Sequence, residues 1–149
     1  MIRIASTATL ALPPDRVFAA LVDPAVLQRC IPGCEELKAI GPDLYEARLK
    51  IGVAGLKGTY IGKAQLRDKI PPKSFTLSFD GSGAPGFVRG TARVRLTAEA
   101  PGTRMTSEAD VQVGGLIAAV GSRLVEAAAR KLADDFFRQL AAEIGTTVT

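Results

Sequence analysis

The sequence predicts an α+β helix-grip: a curved antiparallel sheet of about six to seven strands wrapped around a long C-terminal helix, with two short helices after the first strand. Three observations carry this. The middle of the chain alternates apolar and polar residues at period two in one segment after another. The last part changes to helical spacing. Only one long helix is then available to cover a sheet with one apolar and one charged face, so the sheet has to curl around it.

The first element, up to Leu10, alternates through Ser6, Thr7 and Thr9 and runs into Pro13-Pro14-Asp15, which marks it as a strand rather than an export signal. Pro14 suits the first position of a helix whose apolar face is Val17, Phe18, Leu21 and Val22. Asp23-Pro24 ends that helix and starts a second, with Asp23 as N-cap and Val26 and Leu27 facing inward. Ile31-Pro32-Gly33 closes the pair. Strands follow at Tyr45 to Val53, Gly58 to Arg67, Phe75 to Phe79, Val88 to Leu96 and Met105 to Val113. Breaks at Gly41-Pro42, Ala54-Gly55, Pro71-Pro72, Gly81 to Gly86 and Pro101-Gly102 separate them. Ile117, Val120, Leu124, Ala128, Leu132, Phe136, Leu140 and Ile144 then mark one stripe of a single helix from about Leu116 to Glu143.

Composition narrows the chemistry. The 149 residues, 47% hydrophobic and 23% charged, fit one domain spanning 1–149. There is no His, hence no imidazole base, no Ser-His-Asp or Cys-His nucleophile and none of the commonest transition-metal ligand. Two Cys build neither a disulfide framework nor a four-thiolate metal site. No metal and no cofactor is expected, and no catalytic residue. Net charge is +4, short of a nucleic-acid protein's signature, and no aromatic residues interleave with the basic ones. No apolar run reaches the roughly 18 to 20 residues needed to cross a bilayer. The expected place is the cytoplasm, with both thiols reduced.

Several features admit a functional and a structural reading. Cys30 and Cys34 read as packing more than as a redox or metal pair, although the Pro32-Gly33 turn would allow a disulfide if it brings the thiols close. Ile31, Pro32 and Gly33, the Gly83, Pro85 and Gly86 turn, and Gly114-Gly115 are turn chemistry first and candidate gates of a cavity mouth second. Gly58, Gly62 and Gly90 fall on inward strand positions, where they either let the sheet bend or leave volume beneath it. That volume would be an apolar cavity lined by Phe75, Leu77, Phe79, Val94, Met105, Val111, Val113, Ile117, Val120 and Leu124, with Tyr45 and Tyr60 as polar tips. Such a pocket suits a quinone or a lipid. Outward strand faces carry Arg48, Lys50, Lys57, Lys63, Arg67, Arg89, Arg93, Arg95 and Arg104, a solvated face that would also attract anionic headgroups or an acidic partner. Neither Asp134-Asp135 nor Glu35-Glu36 can form an acid-base dyad, since adjacent side chains diverge.

Val17 to Leu21 with Asp23-Pro24 and Leu27 resembles the first helices of the START-like superfamily, also called SRPBCC or Bet v 1-like. Within it, Cys30 to Glu35, Gly81 to Phe87, Gly90 to Leu96, Val111 to Gly115, Gly121 to Leu124, Ala128 to Leu132 and Phe136-Phe137 resemble the CoxG family of carbon monoxide dehydrogenase proteins, in order over nearly the whole chain. The resemblance implies a non-catalytic accessory of a carbon monoxide dehydrogenase or related molybdenum hydroxylase. It implies a partner of that kind, a hydrophobic ligand (quinone or lipid), and a peripheral place at the inner face of the membrane. Many members carry a C-terminal tail linked to membrane attachment. This chain ends at Thr149, soon after the helix, so self-contained anchoring is not expected. The alternatives are a recruitment factor that docks through its basic face without a ligand, and, further off, an enzyme like some START-like relatives.

Overall fold

A computed structural model describes residues 2–53 and 56–145; the expected break at Ala54-Gly55 lies outside them. The elements run β1 (Ile2–Leu10), α1 (Pro14–Leu21), α2 (Pro24–Cys30), β2 (Cys34–Gly41), β3 (Leu44–Ile51), β4 (Gly58–Ile70), β5 (Ser74–Gly83), β6 (Gly86–Glu99), β7 (Gly102–Gly114), α3 (Leu116–Ala119) and α4 (Ser122–Glu143). All seven strands form one antiparallel sheet in the order β1-β7-β6-β5-β4-β3-β2, a meander whose last strand pairs with the first. This is the α+β arrangement the alternation predicts.

Local chemistry explains the helical start. Proline opens both short helices, and the Asp23 side chain accepts a hydrogen bond from the Ala25 amide, capping α2. α1 buries Val17, Phe18, Ala20 and Leu21. β2 went unseen in the alternation because its outward run of Glu35, Glu36 and Lys38 is broken by register shifts at both ends.

The C-terminal helix departs from the expectation of one continuous piece. It breaks after Ala119, and Gly121 sits at φ +95°, ψ 149°, a backbone region open essentially to glycine alone. The restart turns the stripe, so Val125, Ala128, Phe137, Leu140 and Ala141 are buried in α4 while Val120 and Leu124 are 41% and 43% exposed. α4 packs against α2 and β1, with Arg130 reaching the Ala5 carbonyl and Arg29 paired to Glu143.

Two separate apolar clusters hold the layers together. One gathers Leu10, Val17, Phe18, Tyr45, Leu66, Phe75, Leu96, Met105, Phe137 and Leu140 beneath α1 and α2, with Phe18 edge-on to Phe75. The other, at the opposite end of the sheet, gathers Ile51, Leu56, Tyr60, Ile117, Val125 and Ala128.

Candidate functional site

Between the two clusters, the inward face of the sheet is only partly covered. Along β3, Tyr45 and Ile51 are buried but Ala47 and Leu49 between them are not; along β4 the same holds for Gly62 and Ala64 between Tyr60 and Leu66. On β7, Ser107 and Ala109 are partly open between Met105 and Val111, and on β5 and β6 the opening takes in Leu77, Phe79, Gly90, Ala92 and Val94. Register puts these residues side by side: Ala64 beside Phe79 beside Gly90, and Leu77 beside Ala92 beside Ala109. A band of small and apolar side chains thus crosses the sheet.

Of the predicted lining residues, Tyr45, Tyr60, Phe75, Met105, Val111 and Ile117 are buried. Leu77, Phe79, Val94 and Val113 are partly buried, and Val120 and Leu124 lie on the exposed side of α3 and α4. The glycines give up less volume than their inward positions suggested. Gly90 is overlaid by the Phe79 ring and Gly58 by Pro85. The Tyr60 hydroxyl donates to the Leu56 carbonyl at 2.7 Å, and burial pushes its pKa up, so it is a committed structural group and no acid catalyst.

The predicted gate residues share one end of the sheet, the rim. Gly33 accepts from the Lys50 amide at the end of β3. Gly58, next along, touches Pro85 in the β5–β6 turn. Gly86 lies against the backbone of Gly114 and Gly115, and the Ile117 amide donates to the Pro85 carbonyl at 2.9 Å. Gly115, at φ +73°, and Gly121 bracket α3. α3 and the first turn of α4 leave Leu116, Val120 and Leu124 exposed at 72%, 41% and 43%.

Two grooves open elsewhere. The larger, about 620 Å³, runs between the α2–β2 turn and the middle of α4 and includes Ile31, Pro32, Gly33, both cysteines, Lys50, Asp135 and Arg138. The smaller, about 420 Å³, is lined by Pro14, Pro72, Lys73, Arg95 and Leu96 among others, and by no predicted site residue. Cys30 and Cys34 are free thiols, and burial pushes both up, away from the thiolate form. Among the described residues there is no group of three His, Cys, Asp or Glu side chains placed to hold a metal.

The outward carboxylates are engaged with the basic face. Asp110 takes Arg3 at 3.1 Å and Arg93 at 3.5 Å, Glu35 and Glu36 flank Arg48, and Glu99 pairs with Arg104. No helix among the described residues is long and apolar enough to cross a membrane.

The family model for the carbon monoxide dehydrogenase protein CoxG matches residues 7–145. The chain belongs to the CoxG family. Among solved structures it is similar to a conserved protein from Geobacillus kaustophilus, at 34% identity and TM-score 0.92 with 99% of each chain covered. It is also similar to a START superfamily protein from Mycobacterium smegmatis, at 11% identity and TM-score 0.76 over 96% of this chain and 97% of that one. A protein from Chromobacterium violaceum aligns at 17% identity and TM-score 0.68, covering 95% and 96%. The last two likenesses show a shared START-like fold. Nothing among the curated proteins matches. Much of what resembles CoxG in the sequence lies at the rim: Cys30 to Glu35, Gly81 to Phe87, Val111 to Gly115 and Gly121 to Leu124.

Sequence reasoning missed Val125, which takes the buried place expected of Leu124, and Leu56, which anchors Tyr60. The glycine at 121 was the available signal for the first. It also passed over Ser6 and Ser107, although alternation puts both on the apolar face.

Proposed function

We propose that this chain, acting as one domain, is a non-catalytic accessory of a carbon monoxide dehydrogenase-type molybdenum hydroxylase. It holds a hydrophobic molecule, quinone-like or lipid-like, between sheet and α4 and links the enzyme to the membrane. One observation carries the ligand part: inward residues are buried at both ends of β3, β4 and β7 but left partly open in the middle, between two clusters that do not merge. A well-packed core closes such a band, because an uncovered apolar stretch forfeits contacts on one side. Covering about 300 Å² of it with apolar ligand would contribute roughly 7 kcal/mol before the cost of association, a micromolar scale from which a carrier can release its cargo.

The rim supports the membrane link. Residues 50–61, 81–92 and 111–125 contain Lys50, Lys57, Arg89 and Arg123 and no carboxylate, while the rest of the chain balances fifteen basic residues against fifteen acidic. The exposed Leu116, Val120 and Leu124 sit among those segments. Apolar side chains ringed by cations suit an anionic bilayer surface. Non-catalysis is supported by the absence of His and by the engagement of the Tyr60 hydroxyl and the outward carboxylates. A cytoplasmic location follows from the partner enzyme proposed.

Native mass spectrometry of protein purified from its own cells, followed by organic extraction, tests the carrier. A stoichiometric quinone or lipid is expected; a clean apo mass, with delipidated protein taking up no quinone or lipid in saturable fashion, overturns it. A second reading, docking without a ligand, is favoured by Lys63, Arg67 and Arg95, which have no ion-pair partner among the described residues. Reversing the charges of Arg67 and Arg95 would then abolish capture of the hydroxylase without altering ligand binding.

A further inference from the structure

The inward face offers few polar groups. Thr103 is buried and donates its hydroxyl to the Leu12 carbonyl, and Tyr60 is spent on Leu56. Tyr45 is buried on β3, on the far side of the band. That leaves Ser6 and Ser107, which are direct cross-strand partners on β1 and β7. Both are partly open, between Ala8 and Met105, which are buried on one side, and Ile4 and Ala109 on the other. Ser107 also stands beside Val94, in line with Phe75. Neither serine hydroxyl has a hydrogen-bond partner among the described residues, and no buried side-chain polar atom there is left unpartnered, so both hydroxyls face accessible space. α4 passes over this edge, where Arg130 meets the Ala5 carbonyl.

We propose that Ser6 and Ser107 form the polar anchor of the cavity and hold the oxygen-bearing head of an otherwise apolar ligand, its tail lying along Leu77, Phe79 and Val94. The proposal rests on the carrier reading and narrows it from lipids at large to molecules with one compact oxygen head, of which a quinone is the type. Directly opposed side chains in an antiparallel pair stand about 4.5–5.5 Å apart, close enough for two hydroxyls to converge on one ring. A hydroxyl both donates and accepts. The pair can therefore donate to the carbonyls of a quinone and accept from the hydroxyls of the quinol. No charged side chain shares the inward positions of this part of the sheet, so neither redox form is selected by charge. The anchor holds cargo in both redox states, as transport in either direction requires.

Equilibrium dialysis of delipidated protein with a short-chain naphthoquinone, its quinol under anaerobic reduction, and a head-less isoprenoid hydrocarbon of the same tail length tests this. Wild type is expected to bind quinone and quinol within about threefold of each other. The double variant Ser6→Ala, Ser107→Ala is expected to lose about tenfold toward both, as for two modest hydrogen bonds, with binding of the hydrocarbon unchanged. Ser107→Thr, which keeps the hydroxyl, is expected to retain most of the affinity. Unchanged quinone binding by the double variant overturns the anchor while leaving the carrier intact, and so does an equal loss for the hydrocarbon. A wild type that binds none of the three probes overturns both.

Discussion

The two ends of the inner sheet face are built on opposite terms. Beneath α1 and α2, large side chains interlock: Phe75 is 5% exposed and meets Phe18 edge-on, and Leu10, Met105 and Leu140 are almost wholly buried. At the rim, closure depends on backbone meeting backbone, with glycines at 86, 114 and 115 in close approach and a four-residue α3 held through the Ile117 amide. Large aliphatic side chains there point outward. The first end resists change because its contacts are many and apolar. The second is organised around few, specific contacts, which is how mobile functional segments are usually made.

Truncation should expose that contrast most strongly. Phe75→Ala is expected to cost about 3–5 kcal/mol in chemical denaturation, whereas Leu124→Ala should stay within about 0.5 kcal/mol. A comparable loss at both positions would erase the distinction. Gly121→Ala separates backbone from packing, because a Cβ there meets no atom within 4 Å. Its expected cost of about 1–3 kcal/mol comes from the φ +95° conformation alone. Function should invert the ranking. Changing Leu116 and Val120 to Asp is expected to lower partition onto vesicles of anionic and zwitterionic phospholipid by about tenfold or more, with little effect on melting. Retained partition would remove the rim from the membrane link.

The smallest effect concerns the outer face. The Arg3 guanidinium hydrogen-bonded to Asp110 holds that carboxyl below its usual range, aided by Arg93. A carboxylate depressed on folding adds stability that is fully present above its unfolded pKa and is lost as pH falls through the folded one. Asp110→Asn should therefore flatten the acid limb of a stability-against-pH curve and leave neutral stability nearly unchanged, as befits an exposed pair. An unaltered acid limb would show the pairing to be inconsequential.

Much of the fold was legible because alternation is a direct consequence of strand geometry. Glu108 and Asp110 point outward and Met105 and Val111 inward, as their parity requires. Asp23 and the two prolines marked the helix starts for equally local reasons. Periodicity failed where one residue changed the phase: a single glycine at 121 sent Leu124 outward and Val125 inward. β2 stayed hidden because bulges at Cys34/Glu36 and Ala39/Gly41 disturb its parity. At the candidate site, the rim glycines could be picked out as turn residues, yet their convergence through Pro85 and Gly114 is a tertiary fact. Inward glycines likewise do not disclose in sequence whether Phe79 or empty space will sit above them.

The two glycines that bracket α3 also set a clock. Displacing this segment requires rotation about Gly115 and Gly121 and rupture of the Ile117–Pro85 hydrogen bond, while α4 keeps its own helical bonds throughout. Loop-scale rearrangements of that kind run in nanoseconds to microseconds, far faster than dissociation at micromolar affinity. For a carrier built this way, residence time is governed by how well the cavity grips its cargo, and the door itself imposes no wait.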